Sequence, residues 1–208
     1  QRSINHILNS IRFCKQIRAK LYTFHPGFLT DPTGANVNDS NYDFQFQDQS
    51  LNEVRYEDAF ERMLVSVSEV VAYAKTQDVR ISIETEGSVS KRCHLILQRP
   101  DEFERFFEHF LYRDIGVNLN IGHLELASCA FGFKKEDFVD LIAEYVVAME
   151  LSHNDGIQDE HRPLIEGEWY WKVITDGRFA EAYKILEFRN IGVDVVLKNM
   201  ALCRTYLQ

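Results

Sequence analysis

The sequence predicts an α/β fold of the TIM (β/α)8 type, with about three of the eight βα units not represented in the chain. Three observations lead there. Short apolar runs alternate with amphipathic helical stretches, which implies parallel strands joined by right-handed helical crossovers. Polar residues, namely His25, Glu84, Asn120, His153 and Glu187, fall at or near the carboxyl ends of five different strands. In a barrel those ends converge on one face, whereas in an open sheet they would lie along a line. The third observation is the strand count, which stops at five, while the first residues already read as helix. The missing units are therefore expected to precede Gln1. A half-barrel completed by another subunit is the alternative.

The elements follow in order. Ile4 to Lys20 reads as a helix, with Ile4, Ile7, Leu8, Ile11 and Ile17 on one face. Leu21 to His25 is a short strand stopped by Pro26-Gly27. Residues from about 29 to 54 form a long polar excursion rich in Gly, Pro, Asn, Asp and Gln. Tyr56 to Thr76 is a helix, with Phe60, Met63, Leu64, Val67, Val70 and Val71 on its apolar side. Val79 to Glu84 is a strand. Pro100 to Tyr112 is a helix carrying Phe103, Phe106, Phe107 and Phe110. A strand over Ile115 to Ile121, a helix over Lys135 to Tyr145 and a strand over Val146 to His153 follow. Glu168 to Gly177 reads as helix, Ala182 to Phe188 as strand, and Val193 to Tyr206 as a closing helix. No internal repeat or low-complexity tract is visible, so residues 1–208 are read as a single partial barrel domain.

Bulk properties narrow the function classes. Of the 208 residues, 45% are hydrophobic and 26% charged, the balance of a soluble globular domain. No run is long and apolar enough to span a membrane, and no signal peptide is read at the amino end. The net charge is -9, which disfavours nucleic acid as a partner. The cysteines, Cys14, Cys93, Cys129 and Cys203, are scattered without a C-x-x-C pair, and three of them, Cys14, Cys129 and Cys203, lie in apolar surroundings. Reduced thiols in a cytoplasmic protein are expected.

The densest chemistry lies in Val146 to Trp169. An apolar run ends in Ser152-His153-Asn154-Asp155, and Asp159-Glu160-His161 follows. Imidazoles beside carboxylates suit a divalent first-row ion such as Zn, Mn, Co or Fe. Elsewhere, Glu84 and Glu187 each end an apolar strand, where a carboxylate is costly unless paired or metal-bound. Asn120-Ile121-Gly122-His123 follows another strand, and Gly122 allows close backbone approach.

These pieces resemble the xylose-isomerase-like TIM barrels, the superfamily that includes endonuclease IV and the sugar-phosphate isomerases and epimerases. The resemblance rests on FHPG at His25, IETEG at Glu84, NIGHLELA at Asn120 and His123, SHNDGIQDEH at His153, Asp159 and His161, and LEF at Glu187. It implies, in the epimerase branch, one divalent metal on Glu84, Asn120, His153 and Glu187. Glu84 and Glu187 are the implied proton-transfer pair, and His123 touches substrate. In the endonuclease branch His25, His123, Asp159 and His161 become further zinc ligands. Position 120 is usually aspartate in both branches, and here it is asparagine.

The leading expectation is therefore a metal-dependent sugar or sugar-phosphate isomerase or epimerase that works through an enediolate on a small carbohydrate. An endonuclease IV-like zinc phosphodiesterase is the alternative. A catalytically degenerate barrel is the third, kept open by Asn120. A homo-oligomer is compatible with each.

Overall fold

The structure is a computed structural model that describes residues 2–29, 55–88 and 95–207. Most of the polar excursion and Cys93 lie outside the described residues.

Five parallel strands form one sheet: β1 (Leu21–Phe24), β2 (Arg80–Glu84), β3 (Gly116–Asn120), β4 (Val146–Leu151) and β5 (Tyr183–Leu186). They lie side by side in chain order, so β1 and β5 are the edges of an open half-barrel. The helices are α1 (Arg2–Ile17), α2 (Tyr56–Gln77), α3 (Pro100–His109), α4 (Ile121–Phe131), α5 (Lys135–Ile142), α6 (Tyr170–Ile174) and α7 (Val193–Tyr206). Strand alternation explains which side chains go where. Ile81 and Ile83, Val117 and Leu119, and Met149 and Leu151 belong to the core packed against the helices. Phe60, Phe103 and Phe106 join them, fully buried, each contributing about 1.5–3 kcal/mol.

The opposite face of the sheet is polar. Ser82 and Glu84, Asn118 and Asn120, and Glu150 and Ser152 alternate with those core residues and are buried. Register keeps them in rows, with Glu84 beside Asn118 and Asn120 beside Glu150. The Asn118 amide donates to Thr23 Oγ1 at 3.1 Å and to Glu150 Oε1 at 2.8 Å, tying three strands together.

Several expectations change. The chain turns directly from β3 into α4, an unexpected helix over the NIGHLELA stretch. Its residues are buried on nearly every side, so it lacks the 3.6-residue periodicity that marks a surface helix. Its signals are an asparagine N-cap at Asn120 and Gly132 at the left-handed C-cap. Helix α3 stops at His109 rather than Tyr112, and α6 is only Tyr170–Ile174. Strand β4 ends at Leu151, and His153 instead forms an isolated antiparallel bridge with Arg162. Cys14, Cys129 and Cys203 are free, but Cys129 is exposed rather than apolar in setting, with its thiol facing Glu125.

Candidate active site

Four consecutive strands deliver one cluster. Glu84 ends β2, Asn120 ends β3, Glu150 stands one residue before the end of β4, and Glu187 follows β5. Asn120 fixes the centre. Its Oδ1 accepts the His123 N–H at 3.1 Å and so caps α4. The other end of the amide faces inward: Nδ2 lies 3.0 Å from Glu84 Oε1, 3.1 Å from Glu150 Oε2 and 3.2 Å from Glu187 Oε2. The assignment follows from both ends at once. Reversing the amide would set N–H against N–H, and oxygen against three carboxylates. Thr85 steadies the turn, its Oγ1 accepting from Asn120 N at 3.0 Å.

The carboxyls differ in electrostatics. Burial, then the neighbouring Glu84 and Glu187, push Glu150 well above the ordinary carboxylate range. Burial would raise Glu187 too, but the adjacent His161 outweighs it and holds Glu187 low.

A second cluster adjoins the first. The buried carboxylate of Asp159 sits between His123 and His161, with its Oδ1 3.9 Å from His123 Nε2 and 2.9 Å from His161 Nε2. Ligand atoms of the three residues all lie within 4.8 Å of one another. His123 Nδ1 is 2.9 Å from the Thr85 carbonyl oxygen. That carbonyl can only accept, so Nδ1 carries a proton and Nε2 is left to face Asp159. His161 Nδ1 lies 3.0 Å from Glu187 Oε2. Yet both ring nitrogens of His161 lack an aligned hydrogen bond, although the residue is 1% exposed. Two imidazoles and a carboxylate with buried, unsatisfied nitrogens suit a divalent ion. Burial works against a charge on His161, but Asp159 and Glu187 push its pKa up to about 9. Asp159 is held well below the usual carboxylate range despite its burial, by the adjacent His161 and the charges of His123 and Arg189.

Loop 154–161 is shaped by Asn154. Its Oδ1 accepts from the backbone N–H groups of Glu160 and His161, and its Nδ2 donates to Asp159 Oδ1. Arg189 Nη1 donates to the Asp159 carbonyl at 3.0 Å and lies 3.2 Å from its carboxylate. On the opposite wall His25 Nδ1 lies 2.7 Å from the buried Glu86 carboxylate, and Nε2 lies 3.6 Å from Glu84. Burial alone would lower His25, but Glu86, then Glu84 and Glu150, push it up to about 10. Two glycines let the walls meet: a Cβ on Gly87 would sit 2.3 Å from the His123 carbonyl oxygen, and one on Gly122 would sit 2.6 Å from Ser152 Oγ. His25, Glu84, Glu86, His123, Asp159, His161, Glu187 and Arg189 all line one cleft of about 110 Å³.

Seven of the eight sequence-derived site residues thus meet. His153 does not. Strand alternation carries it to the helix side with Met149 and Leu151, where its ring lies 6.1 Å from that of Tyr170. Its place in the strand-end set is taken by Glu150. Nor does Asn120 turn a lone pair toward the carboxylates; it presents N–H. The expected ligand set of Glu84, Asn120, His153 and Glu187 therefore does not fit a metal, while His123, Asp159 and His161 do. Glu150, Glu86 and Arg189 are functional candidates missing from the sequence reading. Alternation signals Glu150, and Arg189 shares the parity of Glu187; Glu86 has no comparable signal.

The fold and the strand-end site define a barrel of one kind. The chain belongs to the xylose isomerase-like TIM barrel family, whose profile matches residues 1–190. Among solved structures it is similar to a D-tagatose 3-epimerase-like protein, with a TM-score of 0.72 and 16% identity, covering 98% of this chain and 68% of that one. It is similar also to the 3-keto-D-glucoside 4-epimerase of E. coli, with a TM-score of 0.69 and 7% identity over 97% of this chain and 70% of that one. A xylose isomerase-like TIM barrel protein from Mycobacterium smegmatis, in complex with magnesium, gives a TM-score of 0.66 and 14% identity, covering 99% and 67%. At these identities the likeness establishes the fold. No curated protein matches by sequence.

Proposed function

We propose that this chain is a carbohydrate isomerase or epimerase that moves a proton between carbons of a small polyhydroxylated substrate. The observation that carries the reading is the meeting of three carboxylates from three strand ends in one cluster, Glu84 and Glu150 buried and Glu187 at its open side, two of them with pKa values displaced in opposite directions. Such divergence assigns roles. Glu187, held in its carboxylate form, takes the proton from the carbon next to a carbonyl. Glu150, which retains its proton, supplies one, and Glu84 completes the relay from the opposite strand. His25 stands at the rim, where it can hold the oxygen on which negative charge develops. A divalent ion of the Zn, Mn, Co or Fe type, held by His123, Asp159 and His161, supplies Lewis-acid polarisation of a substrate oxygen when bound. A cleft of about 110 Å³ suits the reacting end of a small molecule better than a polymer.

The test is exchange of substrate C–H protons with heavy water, followed by NMR across a panel of keto-sugars and their phosphates. Exchange with at least one ketose, lost in Glu187→Gln, is the expected result. One observation favours a second reading: His123, Asp159 and His161 are also the set that the endonuclease IV resemblance assigns to a zinc ion. Cleavage of abasic-site DNA without exchange on any sugar would replace the isomerase with that hydrolase. An intact ion site with no turnover of either substrate class would leave the degenerate barrel.

A further inference from the structure

We propose that the amide of Asn120 occupies the place of a cation among Glu84, Glu150 and Glu187 in the strand-end cluster, confining any divalent ion to His123, Asp159 and His161. The inference goes beyond the isomerase reading and holds whatever reaction the cleft performs.

The amide orientation is anchored away from the carboxylates. Oδ1 accepts from His123 N as the cap of α4, so turning it inward as a metal ligand would strip that helix of its cap. The spacing points the same way. The amide nitrogen stands 3.0 to 3.2 Å from the three carboxylate oxygens. That is N–H···O spacing, whereas Zn or Mg sits about 2.0–2.2 Å from oxygen. The cage is filled, and it is sized for hydrogen bonds.

The donor count agrees. The amide NH2 carries two hydrogens and three carboxylates converge on it, so it serves the cluster as a shared donor in place of positive charge. The Asn118 amide adds a further donor, to Glu150 Oε1 at 2.8 Å.

The test is titration of Mn²⁺ and Zn²⁺ into the chelator-stripped full-length protein by calorimetry, with bound metal counted after dialysis. Wild type should hold one ion. Asp159→Asn should weaken it by about 100-fold or more, while Glu150→Gln should change its affinity less than about threefold. Asn120→Asp, which removes the amide donors and adds a fourth carboxylate, should create a second ion site. Circular dichroism reports whether each variant folds. If Asn120→Asp does not fold, the contrast between Asp159→Asn and Glu150→Gln still decides. An ion that survives Asp159→Asn but is lost in Glu150→Gln would overturn the proposal, as would two ions in wild type. No ion in wild type would uphold the amide-filled cluster and remove the metal from the neighbouring one.

Discussion

The two halves of the cleft use the same residue types to opposite ends. Around Asn120, three carboxylates gather on one amide nitrogen at hydrogen-bond spacing, 3.0 to 3.2 Å. Around Asp159, two imidazoles gather on one carboxylate, and His161 leaves both ring nitrogens without an aligned bond. One half is served by an amide donor; the other is the half proposed to take an electron-pair acceptor. The lesson is that ligand-type residues do not make a metal site. Which atoms they turn inward does, and hydrogen bonds at the far end of each side chain decide that.

Breaking the proton-handling half should have the largest effect. Glu187→Gln removes both the proposed base and the partner of His161, and it should lower substrate–solvent proton exchange by about 10²–10⁴-fold, read by NMR in heavy water. Next comes the half proposed to bind the ion. Occupation by an ion must displace the proton that Asp159 and Glu187 hold on His161, whose pKa is about 9. Zn²⁺ affinity should therefore rise by about tenfold per pH unit below that value and level off above it. Competition titration with a chromogenic chelator between pH 6 and 9 measures the slope.

A smaller effect separates the halves by stability. The Glu150 pKa is raised from its ordinary value of 4.5. A raised carboxyl gives a contribution fully present below 4.5 and lost as pH rises through the folded value. Wild type should accordingly lose thermal stability from pH 5 toward neutrality, and Glu150→Gln, which cannot ionise, should lose less. Melting curves of both proteins across that range decide it, and parallel curves would contradict the assignment of the proton. The smallest effect is expected at His153. His153→Leu should leave ion affinity unchanged and shift stability by about 1 kcal/mol or less, since the ring packs beside Tyr170 outside the cleft.

Alternation shows how much of this was legible beforehand. The parallel strands, their order and the meeting of Glu84, Asn120 and Glu187 follow from apolar runs ending in polar residues. Asp159 and His161 were legible as a pair, and only the endonuclease resemblance set His123 with them. His153 misleads because it stands at the end of an apolar run, where strand ends usually carry chemistry. The same run corrects it: Met149 and Leu151 face the core, so His153 goes with them and Glu150 does not. Helix α4 escaped because a helix buried on nearly every side has no polar face to set its period. The role of Arg189 depends on loop 154–161 folding back over β5, which only tertiary contacts specify.

The central claim is that the strand-end carboxylates enclose an amide, and that an ion, when bound, belongs to the imidazoles. Anomalous diffraction from crystals of the wild-type protein soaked in Mn²⁺ tests it most directly. The account predicts one peak, within ligand distance of His123, Asp159 and His161, with the Asn120 amide still facing Glu84, Glu150 and Glu187. A peak between Glu84, Glu150 and Glu187, with Asn120 turned to offer its oxygen, would contradict it.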